Sequence, residues 1–367
     1  MRPGVITRAS TCPTRRWPAR LAGLVAAAAA LLLVGAVPAE AHIAGTNASP
    51  SNYRTRVLGV VPPVQGLEVR VAEVGGTLEL VNHTGQQVTV LGSSFEPYLR
   101  VGADGGVEEN RRSPTWLASP PAGSLRPRSA RVDAAAAPDW HRIGGGVRLV
   151  WHDHRAHWTG PDPPAVRQAP RRPQVVIPRW QVPLRVDDRT VLVTGEVVWV
   201  PGSSPWPWLA VAGGLAAVVG AAGQARGWRT PVAVALAVAV VGDVVHTIAA
   251  ELAAVVPVLV RVYVSSLWAT VWVVGVVVVY RLVRGRDGEA DGYLLAAVGL
   301  FFALASGLGD VLTLSRSQVS TVLPLAAARA TVTASLGLGV GLAAVGLQRL
   351  SRPDLGRSSG STARPAG

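Results

Sequence analysis

The sequence predicts two parts in series, an all-β sandwich domain exported from the cytoplasm and then an α-helical membrane domain of five transmembrane helices. Three observations carry this. The 367-residue chain is 49% hydrophobic with a mean hydropathy of +0.32, too apolar for an ordinary soluble protein, yet 35 residues are basic. Short β-branched runs and Gly/Pro turns fill the first half, and long apolar runs fill the second. A leader-like segment precedes both.

Residues 1–41 read as a signal peptide. Arg2, Arg8, Arg15, Arg16 and Arg20 form a positive n-region, Leu21 to Val37 an apolar core, and Ala39-Glu40-Ala41 a small-x-small cleavage site. Cleavage after Ala41 leaves His42 as the first residue, and cleavage after Ala39 leaves it third. An uncleaved anchor helix is the alternative.

Residues 42–204 read as the extracytoplasmic sandwich. Strands are expected at Tyr53–Val60, Leu67–Val74, Thr77–Val81, Gln87–Leu91, Tyr98–Val101, Gly146–Trp151, Gln174–Ile177, Val182–Val186 and Val191–Val200. Asn82-His83-Thr84-Gly85 predicts a hairpin between the third and fourth of these. Ser113 to Pro138 is Pro/Ala/Ser/Arg-rich and predicts a long loop. Many short strands without an amphipathic helix predict an immunoglobulin or cupredoxin-like shape. Pro201 to Pro207 is a stiff linker, and Trp206 and Trp208 suit a membrane interface.

Residues 205–349 form the membrane block, with spans expected at Trp208–Gln224, Thr230–Ala250, Val258–Val283, Tyr293–Leu314 and Leu323–Leu347. Pro231, Pro257 and Pro324 sit at or before helix starts. Gly337, Gly339 and Gly341 permit close helix approach. With the first span entering from outside, Arg226, Arg229, Arg281, Arg284, Arg286 and Arg349 all fall inside, as the positive-inside rule requires. The expected location is the plasma membrane, multi-pass in the lipid bilayer, with a disordered cytoplasmic tail at 350–367.

The composition excludes several chemistries. No Lys occurs, so the +13 charge is an Arg bias of the kind a GC-rich genome produces, and no basic run interleaved with aromatics points to nucleic acid. The one Cys, Cys12, lies in the leader, which removes disulfides, thiol nucleophiles, thiolate zinc sites and blue copper from the mature chain. Met1 is the one Met. No nucleophile elbow, HExxH helix, phosphate loop or dinucleotide fingerprint occurs, so no enzyme is predicted.

Two polar constellations remain. Three of the seven histidines fall in Trp151-His152-Asp153-His154-Arg155-Ala156-His157-Trp158. On a strand His152 and His154 share a face, His157 follows within a turn, and Trp151 and Trp158 would wall the site. Neutral imidazoles without sulfur suit Cu(II) or Zn(II), with copper first and zinc second. The alternative is a hydrogen-bonded network of His, Asp, Arg and Trp that pins a loop, in an envelope scaffold whose contact with a partner protein would be the Ser113–Pro138 loop. His83 reads as a turn residue and His141 as a loop residue.

The second constellation is intramembrane: Asp243, His246, Asp310, Arg261 and Arg329. The acids would either neutralise the two arginines or, with His246, receive a cation from the domain above.

A His after an Ala-x-Ala leader, with a late Asp and His, resembles the copper-resistance CopC-like domains, here at His42, Asp153 and His154. The five-span block resembles their membrane partner CopD, or fusions of the two. The family's Asp-Gly-His is His-Asp-His here, and its Met-rich patch is absent. The resemblance implies His42, Asp153 and His154 as ligands and transfer of copper toward the membrane block; with His152 and His157 from the cluster itself, the candidate metal set is His42, His152, Asp153, His154 and His157. A copper oxidant built on a terminal His42 is a third reading.

Overall fold

A computed structural model describes residues 49–119, 131–255, 258–285 and 289–351. The expected signal peptide, Cys12, His42, the middle of the Ser113–Pro138 loop and nearly all of the 350–367 tail lie outside those residues.

The first part is a β-sheet domain of two antiparallel sheets. Its strands are β1 (Tyr53–Val61), β2 (Leu67–Glu73), β3 (Thr77–Asn82), β4 (Val88–Leu91), β5 (Pro97–Val101), β6 (Gly106–Asn110), β7 (Trp140–Gly145), β8 (Arg148–His152), β9 (Gln174–Val186) and β10 (Arg189–Trp199). A seven-stranded sheet runs β1-β10-β9-β4-β5-β6-β7, and a three-stranded sheet runs β2-β3-β8. Leu78, Leu80, Leu149 and Trp151 of the small sheet share one buried cluster with Tyr98, Leu99, Trp180, Val182, Leu184 and Val193 of the large one. Burying each such side chain contributes about 1.5–3 kcal/mol.

Three sequence expectations are corrected. The Asn82–Gly85 turn does not join a hairpin, because β3 is already paired on both edges and the chain crosses to the other sheet. Asn82 shapes that crossing, its Nδ2 donating to the Gln86 carbonyl at 2.8 Å and its Oδ1 accepting from Thr84 N at 3.1 Å. The two strands expected within 174–186 are one, since the register slip after Ile177 absorbs Pro178 at an irregularity where no ladder hydrogen bond is needed. Polar β6 and β7 went unread. Buried Glu109 there accepts Trp116 Nε1 at 2.8 Å and Arg111 Nε at 3.1 Å, and His141 lies on a strand, opposite Glu109, rather than in a loop. Two short helices decorate the domain, α1 (Pro114–Ala118) and α2 (Pro164–Gln168).

The second part is helical: α3 (Trp206–Ala222), α4 (Arg229–Ala253), α5 (Val258–Val283), α6 (Glu289–Phe301) and α7 (Leu325–Ser351). After α6 the chain widens into a π-helix at Phe302–Leu308, breaks at Asp310 and forms a 3₁₀ turn at Val311–Leu314. Four helices among the described residues, with α6 and its π extension counted as one, are long and apolar enough to cross a membrane. The fifth expected span, α3, is a shorter apolar helix of 17 residues. On α4 the exposed residues Val234, Val238, Val241, Val245, Ile248 and Leu252 recur every three or four positions, while Asp243 and Thr247 face inward. That is the inverse of a water-soluble helix and suits a lipid surface.

Helix α7 is the hub of the block. A Cβ on Gly339 would lie 2.5 Å from Ala303 N and 2.8 Å from Gly299 O, so these two backbones can meet only through glycine. The two parts are stitched by backbone pairing of Ser51 with Gln318 (3.0 and 2.9 Å), by Ser317 N donating to Asn52 Oδ1 at 2.9 Å, and by Ser203 Oγ donating to Leu314 O at 2.9 Å.

Candidate metal centre

The three histidines converge, but not by strand alternation. β8 ends at His152, and His154 begins a 3₁₀ turn, His154–Ala156. Asp153 caps that turn, its Oδ1 accepting from Arg155 N at 3.0 Å. The turn folds His154 and His157 back over His152, with ring centroids 5.0 Å (152–154), 4.5 Å (152–157) and 5.7 Å (154–157) apart. One nitrogen from each ring falls within 4.8 Å of the others, a set that can hold a metal ion.

The rings differ in environment. Both ring nitrogens of His152 are buried and have no hydrogen-bond partner. Burial, then the neighbouring His157 and His154, pushes its pKa down to about 4. Burial also lowers that of His157. Both rings are therefore neutral at pH 7, with lone pairs to offer. His157 Nδ1 lies 3.3 Å from the Asp153 carbonyl, which places its proton there and leaves Nε2 as the ligand atom. His154 is exposed and completes the open side.

Asp153 belongs to the frame rather than to the imidazole set. Its Oδ2 accepts Trp151 Nε1 at 3.0 Å and Arg155 Nη2 at 2.8 Å, and its Oδ1 accepts Arg155 Nε at 2.8 Å. Arg155 ties this frame to β4 through the Leu91 carbonyl at 3.0 Å. Trp151 points into the core, one residue out of phase with His152, and Trp158 packs near Tyr53 with its Nε1 on the Pro161 carbonyl. Neither tryptophan walls the site, contrary to that expectation.

Sequence reasoning missed Gly76. Its φ is +83°, and a Cβ there would stand 2.9 Å from the Cβ of His157 and 3.0 Å from its Nδ1. It also missed Glu73, buried three residues upstream, whose Oε1 accepts the backbone N–H of Val255 beyond α4. The Glu73–Thr77 turn thus reaches both ways: Thr77 pairs with His152, and Glu73 bonds the helical block. The cluster accordingly sits at the end of the sheet domain nearest the helices. A cleft of about 800 Å³ opens beside this turn, lined among others by Thr55, Glu73, Gly75, Val255 and Arg261.

Comparison with known proteins gave no matching family model, no matching curated sequence and no matching solved structure. Function rests on geometry.

In the helical block, the structure does not pair the acids with the arginines. Arg261 Nη2 donates to the Ala254 carbonyl at 3.0 Å and its Nε lies 3.6 Å from Glu251. Arg329 donates to the carbonyls of Thr313 (3.2 Å) and Arg316 (2.9 Å). Both cap broken or ending helices, where freed carbonyls seek a cation. His246 instead joins Asp310, Nε2 to Oδ2 at 3.1 Å, and Thr331, Nδ1 to Oγ1 at 3.0 Å. Asp243 is fully buried and accepts Trp272 Nε1 at 2.7 Å.

Proposed function

We propose that this chain is a plasma-membrane protein whose extracytoplasmic domain, a sandwich of immunoglobulin or cupredoxin type, binds a transition-metal ion on His152, His154 and His157 and passes it toward the helical block. Copper is the first candidate and zinc the second. The supporting observation is His152: a buried imidazole with no partner for either nitrogen, beside two further imidazoles. An unsatisfied buried polar group costs about 1–3 kcal/mol, and a metal bond to one nitrogen removes that cost. Three imidazole nitrogens with an open side suit Cu(II) or Zn(II) with water as a further ligand.

The orientation follows from charge. Arg226, Arg229, Arg281 and Arg284 lie at the helix ends away from the sheet domain, so that end is cytoplasmic. The Glu73–Thr77 turn and the cleft beside it offer a short route from the histidines to the membrane surface. A terminal His42 would add an amine and an imidazole to the set, as the CopC-like resemblance implies.

Titration of the purified full-length protein with Cu(II) and with Zn(II) tests the reading. Binding at micromolar concentrations or tighter is expected, with affinity reduced at least about 100-fold in His152→Ala/His157→Ala. No binding, or binding indifferent to both substitutions, ends it. A second reading draws on the Asp153–Arg155–Trp151 network, which is closed without any metal. The domain would then be a non-metal envelope scaffold, and partners that co-purify after chelation and after histidine substitution would support it.

A further inference from the structure

A hydrogen-bond chain runs through His246, from Thr331 to Asp310. Thr331 Oγ1 lies 2.8 Å from the Ala328 carbonyl and 3.0 Å from His246 Nδ1, and its hydroxyl can donate to either. The imidazole proton can accordingly sit on Nδ1 or on Nε2. Nε2 lies 3.1 Å from Asp310 Oδ2, a bond that needs one proton between the two atoms. That proton can rest on the imidazole or on the carboxyl.

Among the described residues no arginine pairs with Asp243 or Asp310. From α5, Trp272 faces Asp243, and from the π-helix Ser306 lies beside the same carboxylate. Arg261 is held by Ala254 and Glu251, and Arg329 by Thr313 and Arg316. Asp243 and Asp310 both act electrostatically on His246, leaving two acids and one imidazole in a low-dielectric interior. The place in the fold is equally specific. Asp310 sits at the break between the π-helix and the 3₁₀ turn, its side chain 31% exposed, while that of His246 is 11% exposed. The adjoining turn leads to Leu314, which bonds the linker below the sheet domain. Asp243, fully buried, lies one helical turn further from that side. Broken helices at membrane depth are tolerated where they are packed in protein or line a polar path, and they recur at ion sites.

We propose that Asp310 and His246 form a proton-loading site open toward the sheet-domain face of the membrane, with Asp243 as its buried second carboxyl. Thr331 is a positioning residue, holding the imidazole ring at Nδ1. In the loading step a proton from the aqueous face joins the Asp310 carboxylate or the His246 imidazole. No other bond changes, and the net charge of the cluster rises by one. Onward transfer to Asp243 is proton movement alone. This stands whether or not the histidines of the sheet domain bind metal.

Infrared titration of the full chain in lipid nanodiscs, between about pH 4 and about pH 9, is the test. The expected result is a titrating carboxylic C=O band that is lost or moved in Asp310→Asn and in His246→Gln and restored in Asp310→Glu. Thr331→Val should keep the band and shift its midpoint by at least about half a pH unit, which a packing role would not do. In liposomes, acid-driven proton uptake with Asp243→Asn should be at least about tenfold slower than with wild type. A wild-type spectrum without a titrating carboxyl overturns the proposal. So does a band identical in the Asp310 and His246 variants, and uptake unaffected by Asp243→Asn removes the second carboxyl from the site. If Asp310→Asn does not fold, His246→Gln and Thr331→Val carry the same decision.

Discussion

At the scale of single residues the candidate metal centre depends on two positions that are not ligands. Gly76 holds a left-handed backbone and leaves room for His157. An alanine there adds about 1–2 kcal/mol of backbone strain and pushes on the imidazole. Gly76→Ala should lower the melting temperature of the full-length protein by several degrees and weaken metal binding at least about tenfold, read by calorimetry on one sample. Asp153 accepts four hydrogen bonds from Trp151 and Arg155 while buried. Asp153→Asn keeps the shape but leaves the Arg155 guanidinium without its counter-charge, at a cost of about 2–4 kcal/mol in unfolding free energy. His152 sets a pH dependence. Its folded pKa of about 4 lies below the unfolded value near 6.5, so in that window the unfolded chain binds the extra proton. Stability of the metal-free protein should therefore be unaffected by this group above about pH 6.5 and fall as pH drops toward about 4. His152→Leu should flatten that slope in thermal melts, and a slope unchanged by the substitution would contradict the burial argument.

At the scale of elements, the sequence displayed what period and turn chemistry can display. The eight residues around His152 stand out by composition alone, and their convergence is real, but by another route than alternation. A carboxylate capping its own 3₁₀ turn is a local hydrogen-bond choice that no strand period encodes. Strands β6 and β7 stayed hidden because Glu109 is polar yet buried, satisfied by Arg111 and by the indole of Trp116. The break after α6 was equally silent, since Gly-Leu-Gly-Asp in an apolar run reads as uninterrupted span. Arg329, for which pairing with an acid was one of two expectations, instead closes the carbonyls that this break frees. Arg329→Leu removes those donors and leaves polar backbone against an apolar side chain. It should destabilise the helical block by about 2–4 kcal/mol in detergent melts, while Cu(II) binding by the folded protein stays within about twofold of wild type.

At the scale of the whole molecule the decisive contact is Glu73, because one side chain joins the turn beside the histidines to the loop after α4. Nothing in the sequence marks it: a lone acid at a strand end is ordinary surface chemistry until the partner domain covers it. In place it is 5% exposed, with Oε1 on Val255 N and Oε2 without a partner. Burial, only partly offset by that N–H, raises its pKa above the usual carboxylate value. The sign of the linkage is opposite to that of His152. With the folded pKa raised, the folded protein binds the extra proton between the ordinary value near 4.5 and the raised one, so the junction loses stability as pH rises through that interval. Glu73→Gln keeps an acceptor for Val255 and removes the ionisation. It should make the full-length protein more stable than wild type at neutral pH, and equal to it near pH 4. Glu73→Ala should be less stable at both, because Val255 N is left unpaired. Limited proteolysis at the α4–α5 loop reports the junction directly: cleavage should slow in Glu73→Gln and quicken in Glu73→Ala. Equal cleavage in all three proteins would mean that this carboxyl does not hold the sheet domain to the helical block, and that the path from histidines to helices must be sought along the Ser51–Gln318 pairing instead.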